Sequence, residues 1–137
     1  MHLWGACIAF CTLEKQHRVR VVTYMGHVLT SDTNVGPPKY AHGGAIAAVM
    51  DDAAGRVAYE GVEKPIRTAK LEVNYRNPIP LLKTVVVESW VERVEGRKYY
   101  IKLEIYSNLL NNATNKNKVI YAEGEALMVS LNNKANL

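Results

Sequence analysis

Apolar residues recur along this chain with two different periods. Ile46, Val49, Met50, Ala53 and Val57 fall on one face at helical spacing. The spacing predicts a helix from about residue 43 to about residue 59, stopping near Gly61 with Pro65 beyond it. The period then changes to two. In TAKLEVNYRNPIP, residues 68–80, Leu71, Val73 and Tyr75 alternate with Lys70, Glu72, Asn74 and Arg76, and Pro78 and Pro80 end the run. TVVVESWVERV (84–94), RKYYIKLEIYS (97–107) and KVIYAEGEALMVS (118–130) read as three further strands, the first two joined by a short turn at Glu95-Gly96. Ahead of the helix, RVRVVTYMGHVLT (18–30) has the β-branched and aromatic content of a strand, and SDTNVGPPKYA (31–41) is loop. One long helix among antiparallel strands is an α+β arrangement, with about five or six strands in one sheet. With 137 residues, no repeat and no linker, residues 1–137 form a single domain.

Composition narrows the function classes. Apolar residues at 48% and charged residues at 22% describe a soluble globular chain. The net charge of +4 comes without a Lys/Arg-rich run or interleaved aromatic platform, so nucleic acid is not the expected partner. A few basic residues around an anionic small molecule give the same balance. Cys7 and Cys11 are spaced for one helix face and read as buried free thiols. With His2, His17, His27 and His42 showing no ligand spacing, no metal site is expected. The apolar opening, residues 3–13, is too short to span a membrane and lacks the basic flank of a signal peptide. It reads as part of the fold or as the scar of a start site inside a longer protein. The sequon Asn112-Ala113-Thr114 therefore carries little weight, and secretion is not expected.

The chemistry concentrates in HGGAIAAVMDDAAGRVA, residues 42–58. On the helical wheel a second stripe of Ala47, Asp51, Ala54 and Ala58 stands about 110° from the apolar face. Its small side chains admit another backbone, and Asp51 is its only polar group. Asp52 lies on the other flank, where an i, i+4 pair with Arg56 accounts for it. A carboxylate facing a close-packed neighbour needs partners or a raised pKa, and either state serves catalysis. The alternative for Asp51 is a structural acid bonded across an interface. Gly43 and Gly44 sit where the first helical N–H groups lack intrahelical acceptors. Without side chains they let a ligand atom approach, and the helix dipole favours developing negative charge there. The alternative is a tight loop-to-helix turn.

GPPKYAHGGAIAAVMD, TAKLEVNYRNPIPL and VERVEGRKYY together resemble the hotdog-fold acyl-CoA thioesterases of the phenylacetate-pathway and thioesterase-superfamily type. More narrowly they resemble its long-chain branch, which includes thioesterase superfamily member four. The likeness covers about residues 19–131. It implies one long central helix wrapped by the sheet, and a homodimer with continuous sheets that associates further as a dimer of dimers. The active site would lie between subunits, with the small-residue stripe near the partner. Asp51 would be nucleophile or general base, the Gly43 amide would polarise the thioester carbonyl, His42 would shape the helix entrance, and Thr68 would hold the water or the carboxylate. Gly44, Asn74, Arg76, Arg97 and Lys98 would contact the substrate, the cationic heads suiting the phosphates of coenzyme A. The implied substrate is a medium-to-long-chain fatty acyl-CoA, with no cofactor beyond the coenzyme A it carries. The compartment would be cytoplasmic or mitochondrial. Some relatives carry Asn six residues before the His. Gly36 stands there in this chain, as in the long-chain branch. Two other readings stay open: an acyl-thioester hydratase or dehydratase on the same fold, and a non-catalytic acyl-CoA-binding module.

Overall fold

The computed structural model describes residues 10–12, 20–25, 39–61, 65–81, 83–107 and 118–131. The elements are β1 (Phe10–Thr12), β2 (Arg20–Met25), α1 (Gly43–Gly61), β3 (Ile66–Tyr75), β4 (Val85–Glu95), β5 (Lys98–Ser107) and β6 (Ile120–Ser130). The strands form one sheet in the order β1-β2-β4-β5-β6-β3, antiparallel at every pairing. α1 packs against β2 to β6.

The helix forms where its period placed it because that face has a sheet to cover it. Ile46, Val49, Met50, Ala53 and Val57 are all buried. They meet the inward positions of β5 (Ile101, Leu103 and Ile105) and of β6 (Ala122, Ala126 and Met128) in one core. Each large side chain so buried contributes roughly 1.5–3 kcal/mol. Inside this core Ser89 Oγ donates to the Ala53 carbonyl at 3.1 Å, so its polar atom is satisfied. Gly96 takes φ 58° at the β4–β5 turn, a conformation glycine adopts without steric penalty.

Two expectations are corrected. Ala54 and Ala58, assigned to a stripe facing a partner, are fully buried in the chain's own core. The sheet curls far enough around α1 to cover that flank, and only Ala47 and Asp51 of the stripe stay accessible. Helical spacing of Cys7 and Cys11 fails as well: Cys11 lies in β1, paired with Val22 of β2, because a short apolar run fits either element. Cys7, Gly36, the sequon and most of the Asn-rich stretch at 108–118 lie outside the described residues, as do the ends of the strand expected at 18–30.

β3 is an edge strand, paired only to β6 among the described residues. Its register shifts between Thr68 and Lys70, so Ala69 is an inserted residue. Strict alternation would place Thr68 with Lys70 and Glu72 on the outer face. The bulge turns it inward, onto the face shared by Leu71, Val73 and Tyr75. Thr68 thereby reaches the helix.

Candidate active site

The structure sorts the candidate residues into two groups at opposite ends of β3. At its first end Thr68 Oγ1 stands 2.9 Å from Asp51 Oδ1 and 3.2 Å from the Met128 sulfur. A hydroxyl has one proton, and the carboxylate is the stronger acceptor, so Thr68 donates to Asp51. Asp51 is exposed on α1. Arg97 and Lys98 lie near this end, since Lys98 pairs with Val129, and Met128 pairs with both Tyr99 and Thr68. Asp52 is bonded instead to Arg56 at 2.6 Å, one helical turn on.

At the other end of β3 is the start of α1. Lys39 turns the chain with φ 72°, and the Tyr40–Pro80 bridge and the Ala41 N–H to Ile79 carbonyl bond (3.0 Å) anchor it. His42 caps the helix twice. Its carbonyl accepts from Ile46 N–H at 3.1 Å, and its Nδ1 accepts from Gly44 N–H at 3.0 Å. That bond requires an unprotonated Nδ1, and in neutral imidazole the proton then sits on Nε2. The Gly44 amide is thus occupied within the chain. The Gly43 amide meets no acceptor among the described residues, and a helix start offers partial positive charge to whatever approaches it.

Beside Gly43 opens a cavity of about 340 Å³, walled by Tyr40, Ala41, Ile46, Tyr75 and Pro78. The nearest atoms to a Cβ added at Gly43 belong to the Tyr75 side chain, at 3.5 Å, an ordinary contact. The chain's own packing therefore does not demand glycine here. Tyr75, read from its period only as an inward strand residue, donates its hydroxyl to the Gly43 carbonyl at 2.9 Å. Nothing in its spacing distinguished it from Leu71 or Val73. Arg76 also borders this cavity, with its guanidinium paired to Glu123. Asn74 lies apart from both groups. It lines an outer-face cleft with Trp90, Lys102 and Glu104. There the Lys102 ammonium donates to Glu125 at 2.6 Å, which holds the Glu125 carboxyl below its usual range and raises the Lys102 pKa.

Asp51 lies eight residues after Gly43, so the two Cα atoms are about 12 Å apart along the helix. First-turn N–H groups point out beyond the helix end, which places an oxyanion farther still from Asp51. A donor must stand within about 3 Å of that oxygen, and a base within hydrogen-bond reach of the attacking water. One chain therefore carries both groups but does not bring them to one carbonyl. Among the described residues no three His, Cys, Asp or Glu side chains gather to hold a metal ion, and no helix is long and apolar enough to cross a membrane.

Residues 39–108 match the sequence model of the Thioesterase superfamily. The chain is similar to acyl-coenzyme A thioesterase THEM4 of Rattus norvegicus, 38% identical over 97 residues, and of Xenopus laevis, 36% identical over 96 residues. Each alignment covers 70% of this chain, but only 38% of the rat protein and 40% of the Xenopus one. Among solved structures, a putative thioesterase yhdA of Lactococcus lactis superposes with TM-score 0.70 at 17% identity, over 89% of this chain and 90% of that one. An Asn28Ala acyl-CoA hydrolase of Staphylococcus aureus, in complex with coenzyme A, superposes with TM-score 0.70 at 15% identity, over 84% and 66%. These likenesses place helix α1 and its antiparallel sheet in the hotdog fold, and the chain belongs to the thioesterase superfamily.

Proposed function

We propose that this chain is an acyl-CoA thioesterase that hydrolyses medium-to-long-chain fatty acyl-CoA at sites shared by two subunits. The observation that carries the reading is the pair of half-sites: an exposed Asp51 held by Thr68, and a Gly43 amide that meets no acceptor among the described residues, beside an apolar cavity. The named activity of the THEM4 relatives supports it. The edge strand supports a second subunit. If β3 pairs antiparallel with its copy across a two-fold axis near residues 71 and 72, the Thr68 end of one strand meets the Tyr75 end of the other. Each site then joins Asp51 and Thr68 of one subunit to Gly43 of its partner, and the exposed strand edge is satisfied.

The chemistry fits these groups. The Gly43 N–H receives the charge that develops on the thioester oxygen, which such a donor stabilises by about 3 kcal/mol. Asp51 either takes a proton from the attacking water, whose oxygen ends in the fatty acid, or attacks the carbonyl carbon itself to form a mixed anhydride that a water then hydrolyses to fatty acid and free Asp51. The carbon–sulfur bond breaks, and the thiolate leaves as free coenzyme A. A thioester asks for neither a metal nor a redox group. The cavity walled by Tyr40, Ile46 and Tyr75 receives an aliphatic part of the substrate, and Arg97 and Lys98 of the Asp51-bearing subunit lie at the end nearest its carboxylate for the phosphates. His42 is bonded to Gly44 rather than to an acid, which weighs against the hydratase reading.

The test is thiol release from acetyl- to palmitoyl-CoA. Gly43→Ala should fold normally, because its Cβ has room, yet lose at least about tenfold in hydrolysis, because the methyl stands where the substrate must come close. Asp51→Asn and Gly43→Ala chains refolded together in equal amounts should regain about a quarter of wild-type activity. Half of the dimers are then mixed, and each mixed dimer holds one intact site of two. No recovery would mean that both groups act within one chain.

A further inference from the structure

We infer that Tyr75 is a positioning residue for the Gly43 amide, an inference that rests on the reading of that amide as the oxyanion donor. Among the described residues five bonds fix the helix start, and four of them are backbone bonds or a bond local to His42. The fifth is a side-chain bond from β3: the Tyr75 hydroxyl reaches 2.9 Å to the Gly43 carbonyl from the end of that strand. The carbonyl has two lone pairs, so it accepts from Tyr75 and still serves the helix. The mount is rigid, since the next two residues, Arg76 and Asn77, both donate backbone N–H groups to the Tyr121 carbonyl at 2.9 and 3.1 Å. Gly43 needs such a tether. The Gly43 N–H shares its peptide plane with the His42 carbonyl, which Ile46 N–H holds at 3.1 Å, and the Tyr75 bond holds the next plane, so together they fix the torsions between the two planes at a residue whose own backbone is permissive.

Core packing does not explain the bond. Tyr75 is 54% exposed, so its hydroxyl is not a buried group that had to be satisfied. Its ring stands 3.5 Å from where a Gly43 Cβ would be, an ordinary contact that leaves that place open. The same strand holds Asp51 through Thr68 seven residues earlier. β3 thus clamps α1 at both of its functional points, and pairing along its edge would set the aim of donor and acid together.

The test is Tyr75→Phe, which keeps the ring and removes the donor. The expected result is a three- to tenfold fall in kcat, the scale of one hydrogen bond. KM should stay within about twofold, and the melting temperature should be nearly unchanged. The Gly44 amide, bonded to His42, should exchange with solvent about three- to tenfold faster, and the Gly43 amide resonance should shift. Wild-type kcat in Tyr75→Phe, or a kcat loss that tracks a fall in melting temperature, would overturn the inference. The amide measurements need no turnover. If the wild-type protein releases no thiol, the acyl-CoA reading fails, while unchanged Gly43 and Gly44 amides in Tyr75→Phe would sink the positioning role separately.

Discussion

Replacing Asp51 with Asn should lower thiol release from acyl-CoA by at least about 100-fold while leaving the fold intact. The change keeps the shape of the side chain and its bond from Thr68, because the amide oxygen still accepts at 2.9 Å. What it removes is the capacity to take a proton or to attack carbon, and a positioned base supplies about 10²–10⁴-fold. Stability should hardly respond: Asp51 is exposed, and the core face of α1 lies on Ile46, Val49, Met50, Ala53 and Val57. Asp52 provides the comparison within the same helix. Asp52→Asn weakens only the half-exposed pair with Arg56, worth about 0.5 kcal/mol, and should keep its activity. If Asp51→Asn hydrolyses acyl-CoA as fast as the wild type, Asp51 is a structural acid, and binding of uncleaved acyl-CoA becomes the reading to pursue. Thr68→Val should fall between the two, since it leaves the carboxylate in place but unheld.

The helix and its inward face were legible because burial against a sheet imposes a single period over 19 residues. Ile101, Leu103 and Ile105 were legible for the same reason in β5. The alanine stripe was not. Small residues on a flank are compatible with a partner subunit or with a sheet that curls over them, and only the curvature of the sheet decides. Thr68 shows the same limit inside a strand. Its resemblance to family members pointed to the site, yet its period put it on the wrong face, and the bulge at Ala69 that reverses it leaves no mark in the hydrophobic pattern. Tyr75 was visible as an inward residue but not as a donor, because the acceptor is a backbone carbonyl 32 positions away.

Gly124→Ala should cost about 3 kcal/mol and lower the melting temperature by roughly 10 °C. Gly124 lies in β6 between Val73 of β3 and Leu103 of β5, at an inward position. A Cβ built there would stand 2.3 Å from the Glu72 carbonyl oxygen and 3.0 Å from Met50 Cε. Met50 is fully buried but flexible, and its chain end could move aside. The Glu72 carbonyl belongs to the neighbouring strand, so relief requires β3 to shift against β6. That shift would disturb the strand that carries Thr68 at one end and Tyr75 at the other, so activity should fall along with stability. The double variant Gly124→Ala, Met50→Ala separates the two contacts. Truncating Met50 removes the soft contact but not the backbone one, and it adds a cavity, so the double variant should be less stable than either single one. Recovery of stability in the double variant would locate the clash at Met50 alone. A Gly124→Ala melting temperature within about 1 °C of wild type would mean that β3 and β6 do not approach as closely as 2.3 Å implies. Gly43→Ala is the opposite case: the nearest atom to its Cβ is on the Tyr75 ring at 3.5 Å, so it should lose activity without losing stability. The two glycines differ in what occupies the missing side chain's place, the chain's own backbone at one and the proposed substrate at the other.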